Sequence, residues 1–303
     1  MAGITVIGVI FVDVKGFPFG KYNPRAKNLG RINLMHGGVC RNVAENIAGT
    51  GEEVTFVSLT ESSAVGVEVI DRLKRSGINT QYVETVEDGL GMWIAVMDET
   101  GDIAGQISKM PDTGRLEDII EKRGDEIFSR TESVIMELDL GESLSERVIE
   151  LCAKHNVRLY TVVGNMSVIM RRPELIKSLS CFICNEAELG KLCKMDLQLY
   201  TPDKLLELLR YVVKERGYPA TVVTMGAQGS VYYDPKTGNG GHCPAVEAEI
   251  ADTSGAGDAF LSGTVLGLEK GLPLSEAVKA GTKMAGYIIS IEESSSPDMR
   301  GII

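Results

Sequence analysis

An α/β fold with a mostly parallel central sheet and helices on both faces is predicted by three features of the chain. Beyond Pro111, short apolar runs alternate regularly with segments of helical period, the rhythm that right-handed strand–helix–strand crossovers leave in a sequence. The chain opens on a β-branched apolar run at residues 4 to 12, the pattern of a strand covered on both faces. A length of 303 residues with 44% hydrophobic content supplies the core for one large domain or two smaller ones.

The first run is predicted as one strand ending at Asp13, which places that carboxylate where open α/β sheets bind their ligands. Residues 14 to 34 carry Gly16, Pro18, Gly20, Pro24 and Gly30 without helical period and are too long for an ordinary connection. The basic residues Lys21, Arg25, Lys27 and Arg31 suit a solvated loop as well as a substrate contact. Helical spacing then begins with Val39, Val43, Ile47 and Ala48. Just before it, Gly37 and Gly38 let the backbone come close to a ligand, and Asn42 can donate to and accept from hydroxyls.

A strand over 54 to 59, a helix over 65 to 75 closed by Gly77 and an extended stretch over 78 to 84 follow. Two extended runs, 91 to 97 and 103 to 108, meet at turn residues 98 to 101. Met92 and Trp93 in the first of them suit hairpin packing better than closure over a ring. Helices over 116 to 128 and 143 to 155 then alternate with strands over 133 to 138, 158 to 163 and 181 to 184. Asn185 and Glu188 stand three apart at the next helix start, so both side chains can face one cleft. A plain capping pair has the same spacing. Thr201 and Pro202 open a helix to about residue 216, and a strand over 220 to 225 turns through Gly226 and Gly229 into another over 230 to 233.

The chemistry is concentrated between Asp252 and Phe260. Gly255, Ala256 and Gly257 begin an apolar helix over 256 to 270, and small residues at a helix start expose N–H groups, aided by the helix dipole, to an anion. Asp258 stands one residue further on, placed to accept a proton from a hydroxyl as it attacks phosphorus. A last helix over 275 to 290 and a polar tail over 292 to 298 complete the chain.

The string from Asp252 to Asp258 resembles the signature of the PfkB/ribokinase family of sugar and nucleoside kinases, and matches it at every specified position. The segment from Gly37 to Asn46 resembles that family's N-terminal motif, in the form found in pseudouridine kinases, with Cys40 where those relatives usually have Gly. The resemblance spans nearly the whole chain and implies a single ribokinase-like three-layer αβα domain over 1–303, with a β-sheet lid formed by about 14–34 and 89–109. It implies Mg·ATP as phosphoryl donor and a hydroxymethyl group of a ribose-like sugar or nucleoside as acceptor. Asp13, Gly37, Gly38 and Asn42 would bind the substrate, and Asp258 would be the base above the N–H groups of Gly255, Ala256 and Gly257. Asn185, Thr224, Gly226 and Gly229 would lie on the nucleotide side, with Glu188 reaching Mg²⁺ through water. Some members also bind a monovalent cation such as K⁺ between the tail and the Asp252 loop. A pseudouridine-type nucleoside is the expected substrate, a free sugar such as ribose or fructose the alternative, and a non-catalytic sensor on the same fold the rival of another class. Whether Cys40 narrows the pocket stays open at this point, and the lid edge invites a homodimer.

Other chemistry is excluded by what the sequence lacks. A formal charge of −11 is wrong for nucleic acid or an anionic membrane. No apolar stretch approaches the length of a membrane span, and the N-terminal run has no basic leader. Neither G-x-x-x-x-G-K-[ST] nor a G-x-G-x-x-G after the first strand is present, nor G-x-S-x-G or H-E-x-x-H. Six irregularly spaced cysteines point to reduced thiols in the cytoplasm, with Cys181 and Cys184 as buried strand thiols rather than zinc or redox ligands.

Overall fold

The computed structural model describes residues 3–302. The apolar run at the start does not form one strand. It divides into β1 (Gly3–Ile7) and β2 (Phe11–Pro18), which belong to different sheets. The break falls at Gly8, where an added Cβ would lie 2.3 Å from the Cβ of Cys40. Asp13 is therefore carried by β2 and not by the end of β1. The long segment that follows returns as β3 (Gly30–Gly37), leading into α1 (Val39–Gly49).

Next come β4 (Val54–Thr60), α2 (Ala64–Arg75), β5 (Asn79–Thr85), β6 (Gly91–Met97) and β7 (Ile103–Lys109). The regular half runs α3 (Gly114–Phe128), β8 (Thr131–Glu137), α4 (Glu142–His155) and β9 (Arg158–Val162), then a short α5 (Ser167–Arg171). It continues through β10 (Cys181–Asn185), α6 (Glu186–Cys193), α7 (Pro202–Arg216), β11 (Ala220–Thr224), β12 (Ser230–Tyr233) and β13 (Gly240–Cys243). Two helices, α8 (Ala256–Glu269) and α9 (Leu274–Ile288), finish it. Neither α5 nor β13 is signalled by the sequence, because at five and four residues they are too short to establish a period.

Nine strands form the large sheet in the order β13-β12-β11-β10-β9-β8-β1-β4-β5. All neighbours from β5 to β11 are parallel, and β12 and β13 are antiparallel. Successive strand side chains go to opposite faces. Val134 and Met136 join α3, α4, α6 and α7 in one core, while Ile135 joins α1, α2, α8 and α9 in the other. The same alternation separates Cys184 from Cys181. All six cysteines are free, and burial pushes the Cys181 thiol up to about 12.

β3, β2, β6 and β7 form a separate four-stranded sheet. Its register is two-sided. Leu34, Val14, Ile94 and Ile107 are direct cross-strand partners in one row, so they share a face. Asp13, one residue along β2, lies with its partners Met35, Trp93 and Ser108 on the other. Met92 and Trp93 thus part company, and Trp93 gives its indole N–H to Gln106 at 2.8 Å.

Candidate active site

The carboxyl ends of the parallel strands converge with the start of α8. Gly255 caps that helix at φ +79°, and an added Cβ would lie 2.0 Å from the carbonyl oxygen of Ser294. Only glycine fits both the backbone conformation and the tail pressed against it. Ala256 N–H turns back to the Thr253 carbonyl at 3.3 Å, which alters the expectation that all three small residues offer free donors. The N–H groups of Gly257 and Asp258 meet no acceptor among the described residues, as the first turn of a helix requires. Around Gly257 no other atom comes within 4 Å of a Cβ position, so the space above the helix start is open. Open donors at a helix start suit a phosphate.

Asp258 lies beside this opening. Its Oδ2 accepts from Nδ2 of Asn42 at 2.7 Å, joining α8 to α1. The side chain shows some surface to the cleft, yet protein packs so closely around the carboxyl that burial pushes its pKa up to about 7, against the opposing pull of Asn42 and Arg41. A carboxylate poised near neutrality is matched to general-base work. Asp13 approaches through the small sheet. Burial raises its pKa, with Lys15 and Arg41 opposing. Gly37 admits it, since a Cβ there would sit 2.5 Å from the Asp13 carboxylate, and Gly38, at φ +96°, packs against the Val9 carbonyl. From the same strand Lys15 Nζ reaches Ser254 Oγ at 3.4 Å and Asp252 at 3.9 Å.

The structure answers the question left open for Cys40. Its side chain is fully buried on Gly8 and donates to the Ile7 carbonyl at 3.3 Å, so it packs in the core instead of narrowing the pocket. Asn185 and Glu188 are engaged with each other. Asn185 Oδ1 accepts from the Glu188 N–H and Glu188 Oε2 from the Asn185 N–H, both at 2.8 Å, a reciprocal cap on α6. Thr224 ends β11, and the turn at Gly226 and Gly229 is closed by the Met225 N–H donating to the Gly229 carbonyl at 2.7 Å.

Several residues of this region went unmarked in the sequence. Glu137, at the end of β8, is pushed up to about 7 by burial and by the charges of Asp139 and Asp258. Asp139 accepts the N–H groups of Gly164, Asn165, Met166 and Val168. Burial raises Glu188 in turn, and Asp139 adds to the effect. No group of three or more metal-ligating side chains forms among the described residues. A row of mutually repelling carboxyls with oxygen donors nevertheless suits a hydrated divalent cation, since Mg²⁺ keeps several waters and needs few direct ligands. On α1, Arg41 is fully buried and ion-paired with Glu45, which also binds Arg72. The i,i+4 spacing of this pair is local, but its burial depends on partners from α2 and the tail.

A carboxylate raised toward neutrality beside open helix N–H groups, at the carboxyl edge of a parallel sheet, suits a phosphotransferase with an alcohol as acceptor. The chain belongs to the pfkB family of carbohydrate kinases, whose family model matches residues 1–299, and is an ATP-dependent kinase. Guanosine-inosine kinase of Exiguobacterium acetylicum is 40% identical over 301 residues, covering 99% of this chain and 98% of that protein. Pseudouridine kinase of Escherichia coli (strain K12) is 22% identical over 297 residues, 98% of this chain and 93% of that one. Among solved structures, Arabidopsis thaliana ribokinase complexed with ribose and ATP superposes with a TM-score of 0.83 at 19% identity, covering 100% of this chain and 97% of that one. The fold is thus the ribokinase fold.

Proposed function

We propose that this kinase phosphorylates a hydroxymethyl group of a purine ribonucleoside, of the guanosine or inosine type, with Asp258 as base. The observation that carries the mechanism is the 2.7 Å bond from Asn42 to Asp258, which aims an ionisable carboxylate beside the open N–H groups of α8. The purine assignment rests on the 40% identity to the guanosine-inosine kinase. The pseudouridine-type expectation has the weaker support of a 22% relative. Asp13 and Asn42 would hold ribose hydroxyls, with the small sheet as lid. The loop from Thr224 to Gly229 would lie along the nucleotide. Glu188 would hold Mg²⁺ through water, and the metal would neutralise the phosphates. Asp258 takes the hydroxyl proton as the oxygen attacks, and the N–H groups of Gly257 and Asp258 receive the charge on the transferring phosphoryl.

ADP release with Mg·ATP against guanosine, inosine, pseudouridine, adenosine, ribose and fructose tests the assignment. Turnover on guanosine and inosine at least about tenfold above the others is expected, since a site built to hydrogen-bond one base leaves groups unpaired with another. Preference for pseudouridine or a free sugar would overturn the purine assignment and keep the kinase. Tight binding without turnover would favour a sensor.

The outer face of the lid supports a homodimer. Ile32, Leu34 and Ile107 are 74%, 51% and 72% exposed there, a contiguous apolar face of the kind that marks an association surface. Ile107→Glu is expected to convert a dimer to a monomer in light scattering. An unchanged mass would remove this face from the interface. No helix of the described residues is long and apolar enough to cross a membrane, and six free thiols suit a reducing compartment such as the cytoplasm.

A further inference from the structure

Arg41 is the largest fully buried side chain that the mechanism above does not use. Every donor position of its guanidinium is committed. Nε donates to the Gly37 carbonyl at 3.3 Å, and Nη1 to Glu45 at 2.9 Å and to Ser295 Oγ at 2.8 Å. Nη2 donates to the His36 carbonyl and to Oδ1 of Asn42. Ser294 Oγ donates to the same Asn42 oxygen at 3.2 Å. An amide whose oxygen takes two donors must present its NH₂ on the opposite side, and there it meets Asp258. A flipped amide would set oxygen against carboxylate and NH₂ against guanidinium.

The tail secures this arrangement from outside. Ser295 bridges Arg41 and Glu45, and its Oγ donates to Glu45 at 2.6 Å. Arg72 binds Glu45 from α2 and pairs with Glu293 at 2.5 Å. Ser296 N–H is held by Asn46 at 3.0 Å, and Met299 N–H by the Gly49 carbonyl at 2.9 Å. The Ser294 carbonyl is also the group that confines Gly255. One tail segment thus touches both the anion-facing turn and the side chains behind the base.

We propose that Arg41 is a positioning residue for phosphoryl transfer, fixing the Asn42 amide in the orientation that donates to Asp258, and that tail residues 294–296 hold Arg41 in place. This rests on Asp258 being the base. Other groups bearing on Asp258 are Glu137 from β8 and the neutral thiol of Cys40. A bidentate fork achieves what a point charge does not, so Arg41→Lys isolates the geometry while leaving a cation for Glu45.

The test is a double-mutant cycle of Arg41→Lys with Asn42→Ala, read as kcat and as the acid limb of the pH profile of kcat/KM for nucleoside. Alone, Arg41→Lys is expected to lower kcat about tenfold and to move the limb to higher pH, because the donation that favours ionised Asp258 is weakened. In the Asn42→Ala background it should add less than about twofold, since no amide remains to be oriented. A purely structural Arg41 would cost the same in both backgrounds and leave the limb in place, and that result would overturn the proposal. Ser295→Ala gives a second route if Arg41→Lys folds poorly. It removes one anchor of the fork, and its limb must move the same way, or the tail has no part. Asp258→Asn separates the two claims. Lost turnover there without coupling in the cycle sinks only the positioning role, while near-normal turnover sinks the base assignment itself.

Discussion

Asp258→Asn is expected to lower kcat by about 10²- to 10⁴-fold, the usual contribution of a positioned general base, with little change in nucleotide affinity. The amide keeps the volume and an acceptor for Asn42 but takes no proton. Stability should move in the opposite direction. Asp258 has a folded-state pKa of about 7, above that of a carboxyl in the unfolded chain. Native-state stability is therefore greatest where the group is protonated and falls as pH rises toward 7. The Asn variant lacks that loss, so its melting temperature relative to wild type should climb between pH 4 and pH 7 and then level off. Thermal melts across pH and a stopped ADP assay measure both. Near-normal turnover, or a melting difference flat in pH, would remove Asp258 from the role of buried base.

Gly255→Ala is expected to cost on the order of 3 kcal/mol and to depress turnover at least about tenfold. A left-handed non-glycine residue accounts for about 1–2 kcal/mol of this. The remainder comes from the new Cβ, which would lie 2.0 Å from the Ser294 carbonyl and must push the tail away. For a chain of this size the melting temperature should fall by roughly 5 °C. Gly257→Ala is the control, because nothing lies within 4 Å of its Cβ position. It should leave stability nearly unchanged and affect nucleotide use alone. Equal stability losses in the two variants would show that the tail contact does not matter.

How much of this was legible in the sequence depended on range. The alternation of strands and helices after Pro111 was readable because period and turn chemistry are local. The Thr201 cap on α7 was readable for the same reason, and its side chain accepts from the Lys204 N–H. The break after β1 was not legible, because Gly8 yields to Cys40 from another element. The spacing of Asn185 and Glu188 was open to two readings, and the reciprocal hydrogen bonds show the cap on α6 without bearing on a role toward Mg²⁺. Asp258 and Asn42 were each marked by motif form, but their contact joins positions 216 apart in the chain. Arg41 was marked only as one position of the Gly37-to-Asn46 motif, and the reason for its burial was not legible, because Glu45 on the same helix is joined there by partners on α2 and in the tail.

The division of the opening run has a consequence for substrate choice. Asp13 travels with the four-stranded sheet, while Asp258 stands on a helix packed against the nine-stranded one. In the proposed function, a ribose gripped by both carboxylates would crosslink two independently hydrogen-bonded sheets, and its binding free energy would be shared between recognition and closure. An acceptor lacking the hydroxyls for Asp13 would still reach Asp258 but leave the crosslink unmade. Selection would then act on the rate of reaction as well as on occupancy.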